Sequence, residues 1–124
     1  MKPRYSRRSG FTLVEIMIVV ALIGMLVAIA IPNFVRSRST TQANVCINNL
    51  HQVDNAIQEW ALEFKKNSAQ AVTFTDISSY LKNVIVCPTG GTAFSDSYTI
   101  TDVGTKPVCQ KLPASHILTP DTGS

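Results

Sequence analysis

The sequence predicts an α+β protein: a long N-terminal α-helix, membrane-spanning in its first half and amphipathic in its second, packed on a small C-terminal head with an antiparallel β-sheet. Three observations predict it. Phe11 to Ile31 reads FTLVEIMIVVALIGMLVAIAI, apolar throughout except for Glu15. From Ala43 to Phe64 apolar residues recur at alternating steps of three and four, the period of one helix face. Beyond residue 67 the pattern gives way to short alternating runs separated by glycine, proline and aspartate.

The apolar run sets the length scale. A helix rises ~1.5 Å per residue, so the 21 residues from Phe11 to Ile31 meet the roughly 20 needed to cross a hydrocarbon core of about 30 Å. Ahead of the run lies a basic leader, Lys2, Arg4, Arg7 and Arg8, closed by Ser9 and Gly10. Glu15 is the anomaly. An unpaired charge in hydrocarbon costs several kcal/mol, so an ionisable residue there marks a functional position.

The run Gly10-Phe11-Thr12-Leu13-Val14-Glu15, between a basic leader and an apolar stretch, resembles the processing site of type IV pilins and type II secretion pseudopilins. The resemblance implies that a prepilin peptidase cuts after Gly10 and methylates the new N-terminal residue, Phe11. Glu15 would then be the fifth residue of the mature chain and would meet the free amine of a neighbouring subunit during assembly. The resemblance also implies a pilin-like fold in four segments: a leader at 1–10, a transmembrane and filament-core helix at 11–32, the amphipathic half of that helix at 33–66, and a head at 67–124. The implied partners are further copies of the chain in a helical filament, other pilin-like subunits, the peptidase, the assembly machinery of the bacterial inner membrane, and lipid before assembly. The implied location is a single pass of the inner membrane with the head in the periplasm. The resemblance is strong over roughly the first fifty residues and loose beyond them.

Charge agrees with a targeting role for the leader. The chain carries 11 basic and 8 acidic side chains. Four of the basic ones lie in the leader, so the remainder holds seven against eight, and the apparent basicity is a targeting signal that says nothing about nucleic acid. Two rival readings are open. Ala28-Ile29-Ala30 is a small-residue site at which a signal peptidase could release a soluble protein, although Glu15 and the length of the run count against it. The other is a single-pass anchored periplasmic binding domain that never polymerises, which leaves Glu15 without a partner.

In chain order, Pro32 is expected to bend or open the helix, and Gly24 is either a soft point or a close-packing site. Arg36 and Arg38 fit the headgroup level. The amphipathic seam is Ala43, Cys46, Leu50, Val53, Ile57, Trp60 with Ala61, and Phe64, opposite a polar face that includes Asn49, Asp54 and Glu63. A short helix is expected over 76–81, capped by Thr75, with Ile77, Tyr80 and Leu81 packed inward. Ser97 to Thr101 alternates as a half-buried strand in a sheet of two or three strands. The tail from Leu112 to Ser124 has little to order it, though His116-Ile117-Leu118 can dock.

Cys87 and Cys109 bracket the expected hairpin and are the natural disulfide of an extracytoplasmic head. In the chain-entropy model such a loop contributes on the order of 3 kcal/mol. Three cysteines allow three pairings, and Cys46, on the apolar seam, reads as a buried thiol acting as a small hydrophobe. No metal site or cofactor is expected, because no C-x-x-C pair or clustered histidine accompanies the cysteines. Asp96 and Asp102 read as turn residues before calcium ligands, since their spacing departs from an EF-hand. No catalytic constellation is present: Cys46 and His51 face different sides of a helix, and neither G-x-S-x-G nor H-E-x-x-H occurs.

Overall fold

The computed structural model describes residues 1–3 and 9–119. The leader's Arg4, Arg7 and Arg8 and the tail's Pro120 and Gly123 lie outside the described residues. The chain divides into two compact units, Met1–Ser37 and Arg38–Ser124.

Helix α1 spans Leu13–Glu63 and contains Pro32 without an interruption in its helical assignment. Its start is fixed by a capping box. Thr12 Oγ1 accepts the Glu15 backbone N–H at 3.2 Å, and Glu15 Oε2 accepts the Thr12 N–H at 3.3 Å, so two of the donors orphaned at a helix start are satisfied reciprocally. Within Met1–Ser37 every described residue is exposed, including Leu13, Ile16, Leu22, Leu26, Ile29 and Phe34. This part of α1 is long and apolar enough to cross a bilayer.

The remaining part of α1 belongs to the second unit and buries Cys46, Leu50, Val53, Ala56, Ile57, Trp60 and Ala61. Two residues of this stretch depart from the expected pattern. Phe64 is 55% exposed, because the helix has ended: Lys65 turns into the left-handed region at φ 51°. There Lys66 N–H reaches Ala61 O at 2.8 Å and Lys65 N–H reaches Leu62 O at 3.4 Å, the paired bonds of a Schellman stop. Asp54, placed on the polar face by its position, is buried and accepts a 2.7 Å hydrogen bond from Lys106 Nζ. A carboxylate is tolerated inside only when so paired.

The head is built from short elements. Helix α2, Phe74–Ile77, is followed by a 3₁₀ turn, Ser78–Tyr80. It starts two residues earlier than expected, because Thr73 rather than Thr75 is the cap: Asp76 Oδ2 accepts from Thr73 N at 2.9 Å and from Thr73 Oγ1 at 2.6 Å. Ile77 is buried, Tyr80 and Leu81 pack at the edge of the core, and Tyr80 donates its hydroxyl hydrogen bond to Glu63. Helix α3, Phe94–Ser97, is not among the expected elements and takes the first residue of the predicted strand. Asp96 holds its start by accepting from Thr92 N, Thr92 Oγ1 and Ala93 N.

Strands β1, Tyr98–Thr99, and β2, Val108–Cys109, pair antiparallel with Tyr98 opposite Cys109 and Thr99 opposite Val108. The expected strand over 97–101 is thus shorter, since α3 takes Ser97. A single bridge between Ala71 and Asp102 adds a third antiparallel contact, supported by Val72 N–H to Thr101 O at 3.0 Å and Val103 N–H to Gln70 O at 3.1 Å. The core joins the α1 face to Val72, Ile77, Ile85, Phe94, Tyr98, Val103 and Leu118. Phe94 links two of these elements, its ring 4.5 Å from Phe74 and 5.7 Å from Tyr98 between centroids.

Candidate functional site

Two places on the chain gather the residues singled out by sequence, one in each unit. The first is the start of α1. Ser9, Gly10, Phe11 and Glu15 line one shallow depression. Gly10 and Phe11 are exposed in non-helical chain, and a Cβ added at Gly10 would meet nothing within 4 Å. The bond after Gly10 thus lies ahead of the helix, outside its hydrogen-bonded turns. Glu15 sits in the first turn of α1, its carboxylate folded back onto Thr12 N–H. A new amine at Phe11 would lie at the positive end of the α1 dipole, near that carboxylate. The capping role of Glu15 went unread in the sequence, although Thr12-Leu13-Val14-Glu15 fits the S/T-x-x-E pattern that signals it.

The second place lies inside the head. Cys46 comes from α1, Cys87 from the turn that opens Cys87-Pro88-Thr89-Gly90-Gly91, Cys109 from β2, and His116 from the tail. All four are buried. Cys87 Sγ stands 3.7 Å from Cys46 Sγ and 3.5 Å from Cys109 Sγ, while Cys109 Sγ stands 4.0 Å from His116 Nδ1. Cys87 Sγ and Cys109 Sγ, the expected pair, stand close without a bond between them, and Cys46 Sγ lies almost as near to Cys87.

Local structure explains each placement. Gly90 adopts φ 106° and Gly91 N–H bonds to Cys87 O at 2.8 Å, closing the turn around Cys87. A Cβ at Gly91 would press on Ser97 Oγ and come within 2.7 Å of Cys87 N and 2.9 Å of Cys87 O, so the close approach needs glycine. His116 is drawn in by a turn in which its N–H bonds to Leu112 O at 2.9 Å. The neighbouring Leu118 docks with it, while Ile117 stays exposed. The sequence allowed this docking, but the contact of His116 with the thiols could not be read from a residue in a loosely patterned tail.

The electrostatics of the thiols are unequal. Burial pushes the Cys46 thiol up to about 12. Burial also raises the Cys109 thiol, but the Leu112 amide, the neighbouring thiols and the Lys111 amide outweigh it and hold Cys109 below its ordinary value. Of these two, Cys109 ionises first. Tyr98, whose phenol is pushed up by burial, accepts the Asn49 side-chain N–H at 3.0 Å, and its own O–H lies 3.7 Å from Cys46 Sγ. Asp102 holds a turn, its Oδ1 accepting from Thr105 N at 2.7 Å, whereas Asp96 lies in α3 and caps its start.

Comparison with known proteins gives concordant matches. The family described as "Prokaryotic N-terminal methylation motif" matches residues 5–31. The chain is 52% identical over 44 residues to the type IV major pilin protein PilA of Myxococcus xanthus (strain DK1622), covering 36% of this chain and 20% of that one. It is 43% identical over 61 residues to the type IV major fimbrial protein FimA of Dichelobacter nodosus, covering 49% of this chain and 38% of that one. It is 34% identical over 83 residues to the competence protein ComGC of Bacillus subtilis (strain 168), covering 65% of this chain and 82% of that one. The chain thus spans well under half the length of the two pilins and most of ComGC. No solved structure matches it.

Proposed function

The chain belongs to the type IV pilin and pseudopilin family, and we propose that it is a structural subunit, pilin or pseudopilin, of a type IV pilus-like or type II secretion filament. The observation that carries the proposal is the wholly exposed apolar stretch of α1 behind Gly10 and Phe11, with Glu15 its single charge. Burying one large aliphatic side chain is worth about 1.5–3 kcal/mol, so a stretch of this size gains on the order of tens of kcal/mol from any apolar cover. Lipid supplies the cover while the chain is stored in the inner membrane, and neighbouring helices supply it in the filament.

In this proposal residues 1–10 are removed by the prepilin peptidase and Phe11 is methylated. Residues 11–32 form the filament core, 33–66 the amphipathic half of the helix with the Lys65 stop that ends it, and 67–124 the head, which faces the periplasm. Lipid at the membrane edge lets Glu15 reach water, but a packed helical core does not, so assembly demands a partner for the carboxylate. The amine exposed at Phe11 of a neighbouring subunit provides it and sets the axial register. Processing and assembly are coupled by this pair, since an uncleaved chain has no amine at that position. The role is structural, and the partners are copies of the chain, other pilin-like subunits and the inner-membrane assembly machinery.

The test is electron microscopy with antibody labelling of the sheared surface or periplasmic fraction from cells expressing the chain with its assembly machinery. Filaments labelled along their length are expected. A chain confined to the membrane, with no labelled filament, would instead mark an anchored binding domain.

A further inference from the structure

We propose that Cys46, Cys87, Cys109 and His116 form a structural zinc site that ties the head together through three thiolates and one imidazole. The four donor atoms all lie within 4.8 Å of one another. A tetrahedral zinc ion with Zn–S of about 2.3 Å places neighbouring donors about 3.8 Å apart. The Cys46–Cys87, Cys87–Cys109 and Cys109–His116 separations of 3.7, 3.5 and 4.0 Å straddle that figure. Hydrogen bonding alone gives no reason for the cluster, since thiols are weak donors and weak acceptors. Nor does a disulfide, which uses two sulfurs and leaves a buried thiol and a buried imidazole beside it.

The donor set is soft sulfur and nitrogen in a closed environment. Cys46 and Cys109 are 0% exposed, Cys87 1% and His116 3%. A closed four-donor site of this composition is structural rather than catalytic, having no position left for water or substrate. Binding takes the form of Zn²⁺ displacing the thiol protons, with up to three protons released and a site of net charge −1. Groups that can stabilise that charge already face the sulfurs. The backbone of Lys111 and Leu112 lies beside Cys109, and the Tyr98 hydroxyl, whose oxygen accepts from Asn49, stands 3.7 Å from Cys46 Sγ.

The placement of the ligands explains why a staple is useful here. They come from α1, the Cys87 turn, β2 and the tail, four segments that share one apolar core but of which only β2 belongs to the sheet, with two residues per strand. So small a head has little core of its own, and a metal is one of the standard substitutes. Zinc would hold the tail from Gln110 to Leu118 against α1, where few regular hydrogen bonds do so.

The test uses the full chain extracted in detergent from the membrane, without added chelator. Metal analysis by plasma mass spectrometry is expected to give one zinc per chain, with all three cysteines slow to alkylate until the metal is stripped. Cobalt substitution should give the visible absorption of a tetrahedral thiolate-rich site. Chelation should lower the melting temperature, and Zn²⁺ alone, added under reducing conditions, should restore it. His116→Ala should lose zinc at least tenfold more readily, and His116→Cys, which keeps a soft fourth ligand, should retain it. A metal-free protein with a Cys87–Cys109 disulfide in non-reducing peptide maps would overturn the proposal. So would zinc content unchanged in both His116→Ala and Cys46→Ser.

Discussion

Glu15 and Thr12 cap one another at the start of α1, the carboxylate accepting the Thr12 N–H and the Thr12 hydroxyl accepting the Glu15 N–H. Glu15 therefore has two separable duties, a cap that needs an acceptor oxygen and an assembly contact that needs a negative charge. Glutamine keeps the first and loses the second. Glu15→Gln is expected to insert and be processed normally, yet filament yield at matched membrane-pool level should fall at least about tenfold, as for any pair worth 1.4 kcal/mol or more. Thr12→Ala should show the reverse, a weakened cap and near-normal filaments. Normal filaments from Glu15→Gln would mean the charge is dispensable.

Lys65 ends α1 in left-handed backbone without being glycine. Such a conformation costs an L-residue roughly 1–2 kcal/mol, part of which glycine loses again through its looser unfolded chain. Lys65→Gly should therefore stabilise the head by about 1 kcal/mol or less, read as a higher melting temperature from the fluorescence of Trp60, the chain's one tryptophan. A lower melting temperature would show that the Lys65 side chain itself matters more than the backbone.

Asp54 and Lys106 tie α1 to the loop before β2 through a 2.7 Å contact, the carboxylate largely buried and the ammonium partly exposed. Lys106→Met strands the carboxylate and should cost about 1–3 kcal/mol. Adding Asp54→Leu should recover part of the loss, because a buried pair removed together leaves no orphan charge. Simple additivity of the two changes would argue against a direct coupling.

Acid should weaken the head. Hydrogen bonds from the Thr73 hydroxyl and backbone hold Asp76 below the ordinary carboxylate range, and those from the Thr92 hydroxyl and the Ala93 amide hold Asp96 further below it. A depressed folded pKa stabilises above the unfolded value, about 3.9, and the stabilisation is lost as pH falls from there toward the folded values. Melting temperature should thus be insensitive to these groups at neutral pH and decline below about pH 4. Asp96→Asn should flatten that decline, and an unchanged acid slope would discount the cap.

Periodicity made most of the large elements legible. Leu50, Val53, Ile57 and Trp60 were placed on the buried face because the three-and-four spacing of a helix leaves them no other side. Position alone misplaced Asp54, since its burial depends on Lys106, a partner more than fifty residues away. Phe64 continued the spacing but not the helix, and nothing local announces that a lysine will adopt the left-handed stop. The start of α2 moved because Thr73 and Thr75 are both acceptable caps, and Asp76 three residues on selects the first.

The two candidate sites differ in the same way. Gly10, Phe11 and Glu15 lie within six consecutive residues, so their register is written in the sequence itself. The thiol cluster is assembled from residues up to seventy positions apart, by a helix face, a Gly90–Gly91 turn, a strand and a docked tail. Each cysteine was visible, but their convergence with His116 is a property of the fold.

The central claim, that this chain assembles through a processed N-terminus, is tested most directly by the intact mass of the chain taken from purified filaments. A subunit beginning at Phe11, with the apolar run retained and one methyl group added, is the predicted result. A chain that begins at Ile31, or that is found only in the membrane with Met1 still in place, would contradict it.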